Sequence, residues 1–268
     1  MKTKWVSAPY LVWMTVFIAV PLLMIAVFAF TSNDGGFTIK NIQDVGQYAN
    51  IFFRSIWLSV IATAICLVMA YPVSFILSRM EKHKQATMLM IVMLPMWMNF
   101  LLRTYAWMTL LGNNGIINHL LGLMGIGPLK LINTSGAVVL GMVYNYLPFM
   151  ILPLYSVMVK IDKSVIEAAS DLGCSSFATL FRVIVPLSLP GITSGITMVF
   201  VPAISTFIIS RMLGGGSNLL IGDLIEMQFL GNAYNPHLGA AISLVLMVII
   251  LVIMTVMNQF SPDDQVLI

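Results

Sequence analysis

Side chains able to do covalent or acid–base chemistry are few in this sequence and badly spaced for it. The three histidines, His83, His119 and His237, lie far apart with no HExxH-type spacing, so no metal centre is predicted. The two cysteines, Cys66 in an apolar run and Cys174 in a polar one, imply no disulfide framework and read as small packing residues. No GxxxxGK[ST] phosphate loop occurs, and the glycine run Gly214 to Gly216 is not followed by lysine. The chain is therefore not expected to hydrolyse ATP by that route, and no catalytic residue is assigned. Polar chemistry is concentrated in one stretch, Lys160 to Pro186, which reads KIDKSVIEAASDLGCSSFATLFRVIVP.

That island has the signals of a built structure. Ser164-Val165-Ile166-Glu167 matches a capping box, so a helix is expected to start near Val165. Gly173 stands where a left-handed residue would end it. Ser175 or Ser176 can cap a second helix, with Phe177, Leu180, Phe181 and Ile184 on one face. Pro186 would then open the next element. Ala168 and Ala169 leave a narrow helix surface, suited to a groove on a partner; a well-capped connector with no partner is the plainer alternative.

The surroundings of the island are membrane spans. Of 268 residues, 59% are hydrophobic and 9% charged, with mean hydropathy +0.97; a soluble domain carries roughly 25% charged residues. Net charge is +3, without a basic cluster beyond Arg79, Lys82 and Lys84, so nucleic acid is not a predicted partner. Spans of about 20 apolar residues are expected at about 8–30, 55–78, 86–111, 134–157, 187–211 and 238–260. The start, Met1 to Lys4, mimics a signal peptide, but the apolar run after it is long, and a retained first span is expected. Prolines inside spans, Pro21, Pro72, Pro95, Pro148, Pro153 and Pro202, predict either ordinary packing kinks or helices bent round a passage.

Orientation follows from the basic residues. With the N-terminus inside, the inner segments hold Lys2, Lys4, Arg79, Lys82, Lys84, Lys160, Lys163 and Arg182. The outer loops hold Lys40 and Lys130, with Arg54, Arg103 and Arg211 towards outer span ends. Both termini and the polar island are thus expected to be cytoplasmic. The outer segment after the third span contains Ile116 to Met124, expected as a small interfacial helix. No Asp or Glu falls within an expected span, which argues against proton-coupled carriers and paired-aspartate intramembrane proteases.

Glu167-Ala168-Ala169, then Gly173, then Pro186 thirteen residues on, resemble the EAA signature of ABC-importer permeases. Where the family ends on Ile-x-Leu-Pro, Val183-Ile184-Val185-Pro186 keeps the proline and the apolar character. The segments Leu147 to Ser156, Pro186 to Ile192, Asn218 to Gly222 and Pro95 to Tyr105 are similar to the PotB-type permeases of spermidine/putrescine importers. The resemblance implies an all-α integral membrane protein with six transmembrane helices, in the type I ABC importer permease (MetI-like) fold. It implies a single permease domain over residues 1–268, in a bacterial inner membrane, with a coupling loop at about 158–186. The docking residues for a cytoplasmic ATPase would be Glu167, Ala168, Ala169, Asp171 and Gly173. The partners implied are a second homologous permease, two copies of the ATPase, an extracytoplasmic polyamine-binding protein and the lipid bilayer. No cofactor is expected on this chain; ATP and Mg would sit on the ATPase.

A polyamine passage needs aromatic faces, carboxylates or carbonyls, since each cation–π contact contributes about 0.5–2 kcal/mol. Candidates are Trp97, Asn99, Tyr105, Tyr144, Tyr146 and Phe207, each of which also reads as an interfacial or packing residue. Trp97 and Asn99 follow an expected mid-span kink at Pro95. Asp223 and Glu226, spaced i, i+3 in an outer segment, would attract a cation, meet a binding protein or simply face solvent. Arg103 is expected to snorkel outward or to pair with an outer carboxylate. A permease for another small solute, or an ion-coupled carrier, remain the alternative readings.

Overall fold

The computed structural model describes residues 8–32, 35–216, 218–231 and 233–259; Lys2, Lys4 and Ser217 lie outside them. Among the described residues, five helices are long and apolar enough to cross a membrane. They are α1 (Pro9–Ala29), α3 (Ala49–Arg79), α7 (Ser135–Met158), α9 (Ser176–Ser205) and α12 (Pro236–Gln259). A bent pair, α4 (Lys82–Trp97) with the run that begins at α5 (Phe100–Leu111), at 83° to each other, is apolar enough to make a sixth crossing when counted as one broken span. The connecting elements are short: α2 (Lys40–Val45), α6 (Ile116–Leu123), α8 (Lys163–Asp171), α10 (Ile208–Gly214) and α11 (Ile221–Phe229). The short helix expected within Ile116 to Met124 is α6.

Helix α7 is the centre of the bundle, with α3 and α9 packed on it and α9 also touching α3. The reason is legible on α3, where Ala62, Cys66, Ala70 and Ser74 recur every four residues and are all fully buried. Small side chains in one stripe let two helix backbones approach, which is how helices associate in lipid, where burial of apolar surface supplies little drive. Ser74 Oγ donates to the Ile151 carbonyl of α7 (3.1 Å), and Cys66 Sγ lies 3.8 Å from the Val143 carbonyl. Met142, Met150, Leu154 and Met158 of α7 fill the remaining space. A second apolar cluster joins α12 to the end of α1, to α2 and to α11, through Ala29, Val45, Ile221, Leu224, Ala240 and Ile242. The rest of α1 exposes Tyr10, Leu11, Trp13, Phe17 and Leu23, as a lipid-facing span does.

Three boundaries differ from the sequence expectation. The third span does not kink at Pro95 but breaks after Trp97, where Met98 and Asn99 are extended. Asn99 then caps α5, its Oδ1 accepting from the amides of Leu101 (2.8 Å) and Leu102 (3.4 Å). A proline removes one hydrogen bond, whereas an asparagine N-cap stabilises a fresh start. The fifth span does not open at Pro186: α9 already runs from Ser176, so the expected second amphipathic helix and the span are one helix. A π turn at Leu180–Ile184 precedes the proline and makes room for a residue that cannot donate and would crowd the preceding turn. At its other end α9 stops at Ser205, and Thr206 and Phe207 separate it from α10.

The second break is held by close contact with α11. A Cβ on Gly222 would fall 2.5 Å from the Ser205 carbonyl oxygen and 2.6 Å from that of Thr206. Gly222→Ala is expected to force the two apart at a cost of about 1–3 kcal/mol. Thermal unfolding in detergent should show a lowered melting temperature; an unchanged one would mean that the contact is not tight.

Candidate coupling foot and passage residues

The polar island folds as a foot beneath the bundle. Helix α8 starts at Lys163, two residues earlier than a Ser164–Glu167 capping box requires, and that box is not the cap. Asp162 is the N-cap, its Oδ1 accepting from the Ser164 amide (3.1 Å). Aspartate caps as well as serine does, and its charge faces the positive end of the helix. At the other end Gly173 adopts φ +80°. Its amide donates to the Ser170 carbonyl (2.9 Å) and that of Cys174 to the Ala169 carbonyl (3.1 Å), a Schellman closure. Ser175 caps the start of α9, its Oγ accepting from the Ala178 amide (3.3 Å). Cys174 is half-buried in this turn and Cys66 is buried in α3; both are free thiols.

The faces of α8 divide sharply. Ala169 is buried against the bundle and Ile166 is half-buried. Glu167, Ala168, Asp171 and Gly173 are exposed. Beside them Leu172 is 85% exposed and Phe177 72% exposed, with the Phe177 and Phe181 rings 4.6 Å apart. Exposed large apolar side chains rimmed by charge mark an interaction surface. Behind the helix, a cleft of about 500 Å³ lined by Tyr71, Phe75, Ile166 and Leu180 separates it from α3.

Arg79, which the charge pattern marks only as an inner basic residue, and Gln85 and Tyr155, which no motif marks, brace the foot. Arg79 Nη1 donates to the Ile161 carbonyl (3.0 Å), next to the cap of α8. Gln85 Nε2 donates to the Ser78 and Met80 carbonyls (3.3 and 2.8 Å), while its Oε1 accepts from Tyr155 Oη (2.9 Å). The Arg79–Ile161 and Tyr155–Gln85 contacts bridge distant parts of the chain, so no local motif announces them.

The passage candidates are not brought into one cluster. Trp97 is exposed at the carbonyl end of α4, and Phe207 is 39% exposed at the break after α9. Tyr105 is exposed on α5, whereas Tyr144 is half-buried and meets Trp107 edge to face at 5.4 Å. Tyr146 is buried, its Oη donating to the Pro202 carbonyl (3.3 Å). Asn99 is engaged as a cap.

The outer charges are also committed. Glu226 accepts from Arg211 Nη1 (2.9 Å). Asp223 is 4% exposed, so it is not a solvated outer residue. Its Oδ2 accepts from the Leu220 amide (2.9 Å). Burial pushes its carboxyl above the ordinary range, against the Ser210 hydroxyl, the Leu220 amide and the Arg211 charge. Arg103 neither snorkels nor pairs with a carboxylate among the described residues. It is buried over the Phe100 ring (5.8 Å), with Nε and Nη1 lacking hydrogen-bond partners. A further cluster escaped the sequence reading. Arg54 of α3 donates to Asn218 Oδ1 and to Ser135 Oγ (3.2 Å), while Asn218 Nδ2 donates to the carbonyls of Asn133 (3.2 Å) and Gly214 (2.9 Å). It ties the outer ends of α3, α7 and α10 together.

Residues 1–263 match the family of binding-protein-dependent transport system inner membrane components, and the chain belongs to that family. It is a multi-pass inner-membrane permease. Over 247 residues, 88% of the chain, it is 40% identical to the spermidine/putrescine transport system permease protein PotB of Haemophilus influenzae, covering 86% of that protein. Over the same share of the chain it is 36% identical to PotB of Escherichia coli K12, covering 90% of it. The fold is that of ABC importer permeases: a chain of a bacterial transporter that imports the acidic polysaccharide alginate superposes with a TM-score of 0.78 at 16% identity, over 94% of this chain and 92% of that one.

The Asp162 cap has a definite pH signature. Its carboxyl is held below the ordinary range, first by the Ser164 amide and then by the Ser164 side chain, with Lys163 and Arg79 adding to the same direction against slight desolvation. A depressed native pKa stabilises the cap above the unfolded value of about 3.9 and is lost as pH falls through the native value. Amide exchange in the first turn of α8, corrected for intrinsic rates, should be flat from about pH 7 to 5 and accelerate below about pH 4. Asp162→Ala should exchange faster throughout and lose that dependence; equal protection in both proteins would remove Asp162 from the cap.

Proposed function

We propose that this chain is one of two permease subunits of an ATP-driven importer for the polyamines spermidine and putrescine. The reading rests on one conjunction: extended identity to PotB proteins, and a capped foot whose outer face is exposed and apolar. Chains of this family work with a binding protein. Here an extracytoplasmic polyamine-binding protein would deliver cargo to the outer loops, and a second homologous permease would complete the passage. Two copies of an ATPase, holding ATP and Mg, would grip the two feet. With both termini and α8 on the cytoplasmic side, closure of the ATPase pair draws the feet together and rocks the bundle from inward- to outward-facing.

In this scheme Glu167, Ala168, Asp171 and Gly173 present the docking face, with Ala169 holding α8 to the bundle. The cargo is a flexible polycation, and this half of the passage meets it with carbonyls and aromatic faces. Both broken spans support that assignment. Helix α4 ends at Trp97 and α9 two residues before Phe207, so each break sets an exposed aromatic ring beside the negative end of a helix. Tyr105 is a further wall residue by its exposure, and Tyr144 a more recessed one. Asp223 and Glu226 act at the outer face as parts of a fixed structure and offer no free counter-charge.

The test is uptake of labelled spermidine by the complete complex in proteoliposomes. Wild type should take it up with ATP, in competition with putrescine and not with ornithine. Glu167→Lys reverses a docking charge, and Gly173→Val places a β-branched residue in a left-handed conformation at a cost of about 1–2 kcal/mol. Both should abolish uptake and transport-coupled ATP hydrolysis while the chain stays in the membrane. Normal uptake by either variant would refute the docking role, and preferential competition by ornithine would refute the cargo.

A further inference from the structure

The foot is joined to the bundle at more places than its two covalent ends. Arg79 is the last residue of α3, and its guanidinium lies over the Phe75 ring (5.5 Å to the centroid) while Nη1 holds the Ile161 carbonyl at 3.0 Å. Ile161 directly precedes the Asp162 cap of α8. On the other side of the short turn into α4, Gln85 binds the Ser78 and Met80 carbonyls and accepts from Tyr155 of α7. The α3–α4 turn is thereby fixed to α7 through Tyr155 and to the approach of α8 through Arg79. Elsewhere the space between α8 and α3 is the cleft of about 500 Å³ lined by Tyr71, Phe75 and Ile166. Apolar packing leaves that gap open, so Arg79, lying over the Phe75 ring, is a direct polar link by which a push at the start of α8 reaches α3. The guanidinium makes this one hydrogen bond, through Nη1, and its buried Nε and Nη2 have no partner among the described residues; an arginine keeps its charge when part-buried where a lysine shifts more readily.

We propose that Arg79 is a positioning residue that carries displacement of α8 into the α3–α4 hairpin, so that the stroke reaches the broken third span as well as α7 and α9. This rests on the reading of α8 as the ATPase-docking foot.

The experiment uses the complete complex in proteoliposomes and measures spermidine-stimulated ATP hydrolysis, spermidine moved per ATP hydrolysed, and co-purification of the ATPase. Arg79→Ala should retain the ATPase but lower spermidine moved per ATP by between about 2-fold and 30-fold, the range for residues that couple two sites. Arg79→Lys, which keeps the charge and one donor without the fork, should fall between Arg79→Ala and wild type. Wild-type transport per ATP in Arg79→Ala would overturn the proposal. So would loss of the ATPase from Arg79→Ala, because Arg79 would then only hold the foot together. A wild-type complex without spermidine-stimulated hydrolysis would refute the importer reading itself, a result separable from either variant.

Discussion

The close approach of α3 to α7 is the contact on which the rest depends. Ala62, Cys66, Ala70 and Ser74 form a stripe that brings the two backbones together, and the Ser74 hydroxyl fixes the register against the Ile151 carbonyl. In lipid, where apolar side chains are equally well solvated apart, association of this kind comes from backbone proximity and interhelical hydrogen bonds. Helix α9 packs onto the same pair. The ends of α3 and α7 next to α8 then lie close enough for Arg79 to reach Ile161 and for Tyr155 to reach Gln85. At the opposite end the same pairing lets Arg54 reach Ser135 and Asn218. One apolar interface thus sets the geometry of both polar ends.

Around this pair the chain breaks two spans, which is costly in a bilayer unless the freed backbone groups find partners. Asn99 supplies an acceptor at the first break, and α11 closes on the second with a glycine. What stays exposed at each is an aromatic ring near a helix carbonyl end, Trp97 at the first and Phe207 at the second. The foot has the complementary design. Its ends are locked by Asp162 and by the Gly173 turn, while its outer face is left uncovered.

Much of this was legible in the sequence because the signals are local. Length and hydropathy give the apolar spans, the Gly173 turn follows from glycine in a capping position, and of the two serines able to cap the next helix Ser175 does so. The failures were competitions between local signals or long-range effects. Asp162 and Ser164 are both good N-caps two residues apart, and the box pattern favoured the wrong one. Proline at 95 and at 186 suggested boundaries, but Asn99 and a π turn decided where helices restart or continue. The fates of Arg103, Asp223 and Glu226 depend on which helices pack round them. Arg79 and Gln85 act on partners about 70 or more residues away, which no spacing along the chain encodes.

The proposed function requires the exposed face of α8 to lie against an ATPase subunit. Its most direct test is cysteine cross-linking in the complete complex, with Cys66→Ser and Cys174→Ser as background and Ala168→Cys as the probe on that face. The control is Leu230→Cys at the outer end of α11, where the side chain is 83% exposed. The account predicts a short-range cross-link from position 168 to a cysteine in the ATPase groove, and none from position 230. No cross-link from position 168 in an assembled, ATP-hydrolysing complex would contradict it.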